Sequence, residues 1–285
     1  MGDAKIEEVE KEVDTYYSSE DTDKAYRTCW GEGNIHFGYF PKLDDDTKAA
    51  IPFDKAAEAL TQKMITTAGE FSDKSKVLDL GSGYGKPACD VARVTGAEVW
   101  GVDLSEMHVQ RSIELAKKTK VDKRANFVVG SFTSLPKEVL NQSGTFTHVW
   151  SQVAWCHCHA DIMKILGEAN KALAKGGKLV VNDFLGTDGK VEDNTKEHVW
   201  KRLRFTELLG PLAWKECLEN AGFVIEKYED WSHHLQHGYE ELASTANKHG
   251  FKSADGAPLG DNYKVSAECA ASGQIGMNFC VARKV

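Results

Sequence analysis

Short apolar runs, bounded by glycines or polar turns, recur along the chain and alternate with longer stretches of helical period. The runs predict strands at 77–80, 97–102, 125–129, 146–150, 178–184, 223–231 and 273–283, enough for a seven-stranded sheet. Between them, residues 51–69 carry Ala56, Leu60, Met64 and Ile65 on one helical face. Further helices are predicted at 86–94, at 105–118 behind a Ser105 cap, at 161–174 up to Gly176-Gly177, at 197–209, at 212–221 before Gly222, and at 238–249. Residues 186–194 and 252–262 read as loops. Upstream, 5–17 reads as an exposed helix, and Ser19 or Asp21 caps a second one at 22–29. Alternation of this kind predicts an α/β fold, with ligands outside the carboxyl ends of the strands.

The first strand runs into Asp79-Leu80-Gly81-Ser82-Gly83-Tyr84-Gly85, and the second ends on Asp103. Glycines at alternate positions let a ligand lie against bare main chain. The spacing differs from the G-x-G-x-x-G of a dinucleotide site, and Asp79 would repel a pyrophosphate. It suits a cationic ligand instead. S-adenosylmethionine fits, with its sulfonium, its ammonium and a ribose diol for Asp103. Leu104 adjoins that acid. After the third strand come Ser131 and Phe132, candidates for an adenine contact through a hydroxyl and a ring.

The stretch from Asp79 to Gly85 resembles the first motif of class I S-adenosylmethionine-dependent methyltransferases, and 173–181 resembles their late sheet motif. Upstream, Tyr26, Trp30-Gly31-Glu32 and Ile35-His36-Phe37-Gly38-Tyr39 resemble the arm of the sarcosine and dimethylglycine N-methyltransferases, with a looser likeness to phosphoethanolamine methyltransferases. The resemblance implies a Rossmann-like fold, a seven-stranded mixed sheet with helices on both faces. It implies an N-terminal helical lid over 1–50, a catalytic domain over 51–285, and a substrate-binding insertion near 186–211. Tyr26 and Trp30 would meet the sulfonium, since aromatic faces attract cations.

After the fourth strand, Ser151-Gln152-Val153-Ala154-Trp155-Cys156-His157 is similar to a Ser-Gln-Asp-Ala-x-x-His segment of these families. The resemblance implies that His157 is catalytic, latched to Tyr26, with Gln152 close to the methyl group. Val153 stands where those families carry Asp, which weakens the transfer of their amine substrates to this chain. Methylation of sulfur or oxygen on another small metabolite is the enzymatic alternative, and a catalytically silent S-adenosylmethionine-binding protein is the other. Cys156-His157-Cys158-His159 is too consecutive for a structural zinc site, and no metal is expected. Either of His233 and His234 could line the substrate pocket. Arg202 and Arg204 could meet a substrate carboxylate, although a solvated helix face is the favoured reading.

Composition narrows the partners. The 285 residues are 41% hydrophobic and 27% charged, with a net charge of −8. Such a balance lacks the basic face of a dedicated nucleic-acid binder. Seven scattered cysteines read as reduced thiols. No apolar run reaches membrane-spanning length, and the polar N-terminus shows no signal core. A cytoplasmic monomer or homodimer acting on a small molecule is expected.

Overall fold

The computed structural model describes residues 8–12, 28–31, 33–253 and 256–285. Seven strands form one sheet in the order β3-β2-β1-β4-β5-β7-β6. They are β1 (Lys76–Leu80), β2 (Glu98–Asp103), β3 (Ala125–Val129), β4 (Phe146–Gln152), β5 (Leu173–Leu185), β6 (Phe223–Asp230) and β7 (Gly276–Lys284). β1 pairs in parallel with β2 and β4, β2 with β3, and β4 with β5, whereas β7 runs antiparallel between β5 and β6. The sheet is therefore the expected mixed one. The chain leaves β1 first towards β2 and β3, then returns to build β4 and β5 on its other side, so a crevice opens at the carboxyl ends of β1 and β4.

The longer helices are α1 (Phe53–Ala68), α2 (Lys86–Thr95), α3 (Glu106–Lys118), α4 (Ile162–Ala172), α5 (Pro211–Asn220), α6 (Ser232–His249) and α7 (Leu259–Ala271). Two apolar clusters divide the core between the sheet faces. One joins α1, α2, α6 and α7 to Trp30, Phe37 and Phe40 of the arm. The other joins α4 and α5 to β4 and β5. Val77, Leu78 and Leu80 of β1 are fully buried, as a central parallel strand covered on both faces requires.

Several boundaries differ from the sequence reading. α6 begins at Ser232, and Gly238 lies inside it, because a Cβ there would meet Phe37 Cδ1 at 3.0 Å and Phe53 Cε2 at 3.2 Å. α7 occupies part of the expected loop over 252–262. Its Gly260 lets two helices approach, since a Cβ there would lie 2.2 Å from Asn247 Oδ1 of α6. β5 starts at Leu173, and Gly176-Gly177 falls in a register shift between the Phe146–Leu173 and His148–Lys178 pairs. The expected helix over 197–209 lies earlier. It runs from Asp193 to Leu203 with a π-helical stretch at Lys196–Trp200, and it stops where Arg204 turns left-handed at φ 59°. No helix among the described residues is long and apolar enough to cross a membrane.

Candidate active site

A cavity opens at the carboxyl ends of β1, β2 and β4. Asp79, Gly81, Gly83, Asp103, Leu104, His108 and Phe132 line one end, Gln152, Val153, His157 and Cys158 line the other, and Ile35 and His36 of the arm join the lining, with Ile35 against Gly83.

The first end is largely main chain. The N–H groups of Gly81 and Ser82 both donate to Val102 O, at 2.9 and 3.0 Å, which straps the loop to β2. Gly81 has φ +89° and Gly83 φ +52°. A Cβ on Gly81 would sit 2.3 Å from Ala154 Cβ, and one on Gly83 would sit 2.6 Å from Ile35 Cδ1. Only glycine keeps both positions open. Asp103 Oδ2 accepts the Gly83 N–H at 2.7 Å, while its Oδ1 lies 3.0 Å from Ser105 N and 3.1 Å from His108 Nδ1. The same carboxylate thus fixes the glycine loop and the start of α3. Asp79 is 2% exposed, and one of its buried oxygens has no hydrogen-bond partner. Burial, reinforced by Asp103, pushes its carboxyl up to about 8. An orphaned acid of this kind is completed by a cationic group in the cavity.

The second end is assembled from side chains. The turn Trp155–Asp161 leaves β4 and carries His157 into the cavity. Asp183 anchors that turn: Oδ2 accepts the N–H groups of Trp155 at 2.9 Å and Cys156 at 3.1 Å, and Oδ1 accepts that of Phe184 at 2.8 Å. Burial lowers the His157 imidazole to about 4, against an opposing hydrogen bond to the Leu203 backbone, so the ring is neutral near pH 7. His36 is also lowered to about 4 by burial. Its Nδ1 lies 2.8 Å from Phe37 O, and its buried Nε2 has no partner.

The expected site residues divide. Asp79, Gly81, Gly83, Asp103, Leu104, Phe132, Gln152 and His157 all line the cavity. Gln152 does so with its amide already committed, Oε1 accepting from Trp150 Nε1 at 3.0 Å and Nε2 lying 3.2 Å from Thr61 Oγ1. Trp30 packs elsewhere: it is 3% exposed, edge-on to Phe53 with ring centres 5.3 Å apart, in the aromatic core behind the arm. Ser131 turns its hydroxyl to the Glu10 carboxylate at 2.5 Å, and Glu10 takes the place on the cavity wall. Tyr26, and with it the Tyr26–His157 latch, lies outside the described residues. Arg202 reaches Ser266 Oγ at 2.7 Å and lies over Tyr263, which ties the insertion to α7, while Arg204 is exposed.

His233 and His234 do not line the cavity. His233 Nε2 meets Asp44 Oδ1 at 2.8 Å, and buried His234 faces Asp44 Oδ2 at 3.4 Å. The Phe40 N–H donates to His234 Nδ1 at 3.2 Å, so the neutral ring carries its proton on Nε2 and offers no lone pair to a metal there. In the Cys-His-Cys-His run, burial pushes the Cys156 and Cys158 thiols up, the latter to about 12, which keeps them protonated and poor metal ligands. His108, Glu10 and Asp183 were not singled out from sequence, and His36 was read only as part of the arm. For Asp183 the available signal was an acid inside the apolar run of β5.

A sheet of this order, with a glycine cradle after β1, a paired acid after β2 and an orphaned acid facing the cavity, defines a class I S-adenosylmethionine-dependent methyltransferase. Comparison with known proteins agrees. Residues 71–240 match a family model described as a methyltransferase domain. The sarcosine/dimethylglycine N-methyltransferase of Halorhodospira halochloris is 30% identical over 224 residues, 79% of this chain and 76% of that one. The enzyme of the same description from Aphanothece halophytica is 26% identical over 245 residues, 86% of this chain and 84% of its own length. A solved structure from Galdieria sulphuraria, titled as a candidate sarcosine dimethylglycine methyltransferase, superposes with a TM-score of 0.80 at 20% identity, covering 94% of this chain and 98% of that chain. The chain belongs to the S-adenosylmethionine-dependent methyltransferase family, and S-adenosylmethionine is its cofactor.

Proposed function

We propose that the enzyme methylates the nitrogen of a small amino acid of the sarcosine or dimethylglycine type. Asp79 would receive the cofactor's ammonium, Gly81 and Gly83 would bed its methionine chain, and Asp103 would accept from the ribose hydroxyls. Leu104 and Phe132 would supply apolar contacts to the adenine. When bound, the cofactor supplies a methyl group activated by its sulfonium. Transfer would join that methyl carbon to the acceptor's lone pair, leave the electrons of the carbon–sulfur bond on sulfur and release S-adenosylhomocysteine.

The chain's own task is to hold the acceptor in line, keep water out and keep its nitrogen unprotonated. The observation that carries the reading is His157, a buried, neutral imidazole on a turn clamped by Asp183 at the end of β4. As a neutral ring it can accept a hydrogen bond from an amine N–H, and the buried surroundings disfavour an ammonium ion. The names of the relatives at 26–30% identity support the choice of amine. Ile35 and His36 of the described part of the arm line the same cavity as His157.

The test is release of S-adenosylhomocysteine across glycine, sarcosine, dimethylglycine, phosphoethanolamine, small thiols and phenols. Turnover on sarcosine or dimethylglycine supports the proposal. Turnover confined to thiols or phenols would reassign the acceptor to sulfur or oxygen.

A further inference from the structure

Val153 stands at the junction of β4 and the His157 turn with φ +54°, in the left-handed region. A β-branched side chain is disfavoured there, and residues so strained cluster at functional sites. Its neighbourhood explains how the conformation is held but not why the residue is valine. The Val153 N–H donates to Asn182 O at 2.7 Å, extending the β4–β5 pairing by one step, and the left turn then delivers Ala154 against Gly81. Glycine, asparagine or aspartate would make the same main-chain bond with less strain. What valine adds is an isopropyl group. It packs against the cluster on the arm's side of the sheet and lines the cavity beside Gln152 and His157.

We propose that Val153 is a specificity-determining residue that favours amines already carrying N-methyl groups, because its isopropyl group is the apolar wall on which those methyl groups pack. This rests on the reading of the enzyme as an amine methyltransferase. A primary amine offers N–H groups where the wall offers no partner, and it brings a larger hydration shell to strip. A dimethylated amine offers hydrocarbon instead. One or two such contacts suffice to separate substrates by about ten-fold or more.

The experiment compares wild type with Val153→Ala, Val153→Asn and Val153→Gly. It reads kcat/KM for glycine, sarcosine and dimethylglycine, the Kd for S-adenosylmethionine, and the melting temperature. Wild type should prefer dimethylglycine to glycine. Val153→Asn should cut the dimethylglycine value about ten-fold while moving the glycine value and the cofactor Kd by less than about three-fold. Val153→Ala should give a change of the same sign and smaller size. An unchanged dimethylglycine-to-glycine ratio in both Val153→Ala and Val153→Asn would overturn the assignment. Failure of the amine reading would look different: wild type itself would turn over none of the three amines.

Discussion

The two ends of the cavity are built in different ways. At the cofactor end, one stretch from β1 through the glycine loop to the start of α3 supplies all of the lining but Phe132, and the Val102 carbonyl and the Asp103 carboxylate tie it together. At the acceptor end, Gln152, Val153 and His157 after β4 depend on Thr61 of α1 and on the Asp183 clamp of β5, segments far apart in sequence, and Ile35 and His36 of the arm join the lining from a third. The first end is local main-chain geometry. The second exists only after long-range packing. A local glycine cradle is suited to a constant ligand, and a composite of side chains is suited to a variable one.

The contrast predicts separable effects. The largest is at Asp103. Replacing it by Ala removes the ribose acceptor and also frees the Gly83 and Ser105 N–H groups, so S-adenosylmethionine affinity should fall about 100-fold, corresponding to about 3 kcal/mol. Calorimetric titration measures it, and a change under about three-fold would break the assignment of this end.

Next is Asp79, whose carboxyl burial raises to about 8. Below that value it is mostly protonated, and a cationic ligand must bind the ionised form. Affinity should therefore climb about ten-fold per pH unit between about pH 6 and 7.5, where the ligand's α-ammonium is still charged. Asp79→Asn should flatten that slope, and an equal slope in both proteins would remove Asp79 from the ammonium site.

At the other end, His157→Ala should lower kcat about 10- to 30-fold while leaving the cofactor Kd within about three-fold. A parallel loss of cofactor affinity would erase the distinction between the two ends.

The smallest effect is on stability. Burial lowers His36, His148, His157 and His234 to about 4 and His159 to about 3, so between about pH 4 and 6.5 the unfolded chain binds more protons at these sites. Stability from them is complete above 6.5 and is lost as pH falls. Asp79, raised to about 8, and Asp183, raised to about 7, bind more protons in the folded state above the usual carboxylate range and oppose the trend. The histidines outnumber them, so the melting temperature should drop on acidification from pH 6.5 to 5 and sag slightly between 6.5 and 8. A melting temperature that rises steadily from pH 6.5 down to 5 would show that these rings are not held neutral.

The same division explains what could be read from the sequence. The seven strands and the cofactor end were legible because apolar runs, alternate glycines and a strand-terminal acid are local signals. The acceptor end was legible only in part. His157 stood out by its place after β4, but His36 and Asp183 become site residues only when the arm and β5 pack beside β4. Gly238 stood at the start of an expected helix and Gly260 within an expected loop, yet both serve helix packing, a purpose visible only with Phe37 and Asn247 in place. Trp30 carries aromatic surface suited to a sulfonium, but that surface belongs to the core. Val153 has an identity that sequence supplies and a strained φ that it does not.

The most direct measurement is a crystal structure of the enzyme with S-adenosylhomocysteine and dimethylglycine bound together. The account predicts the ribose on Asp103, the homocysteine ammonium on Asp79, and the dimethylated nitrogen between Val153 and His157, facing the sulfur. An amine lying away from both side chains, or a ribose that does not touch Asp103, would contradict it.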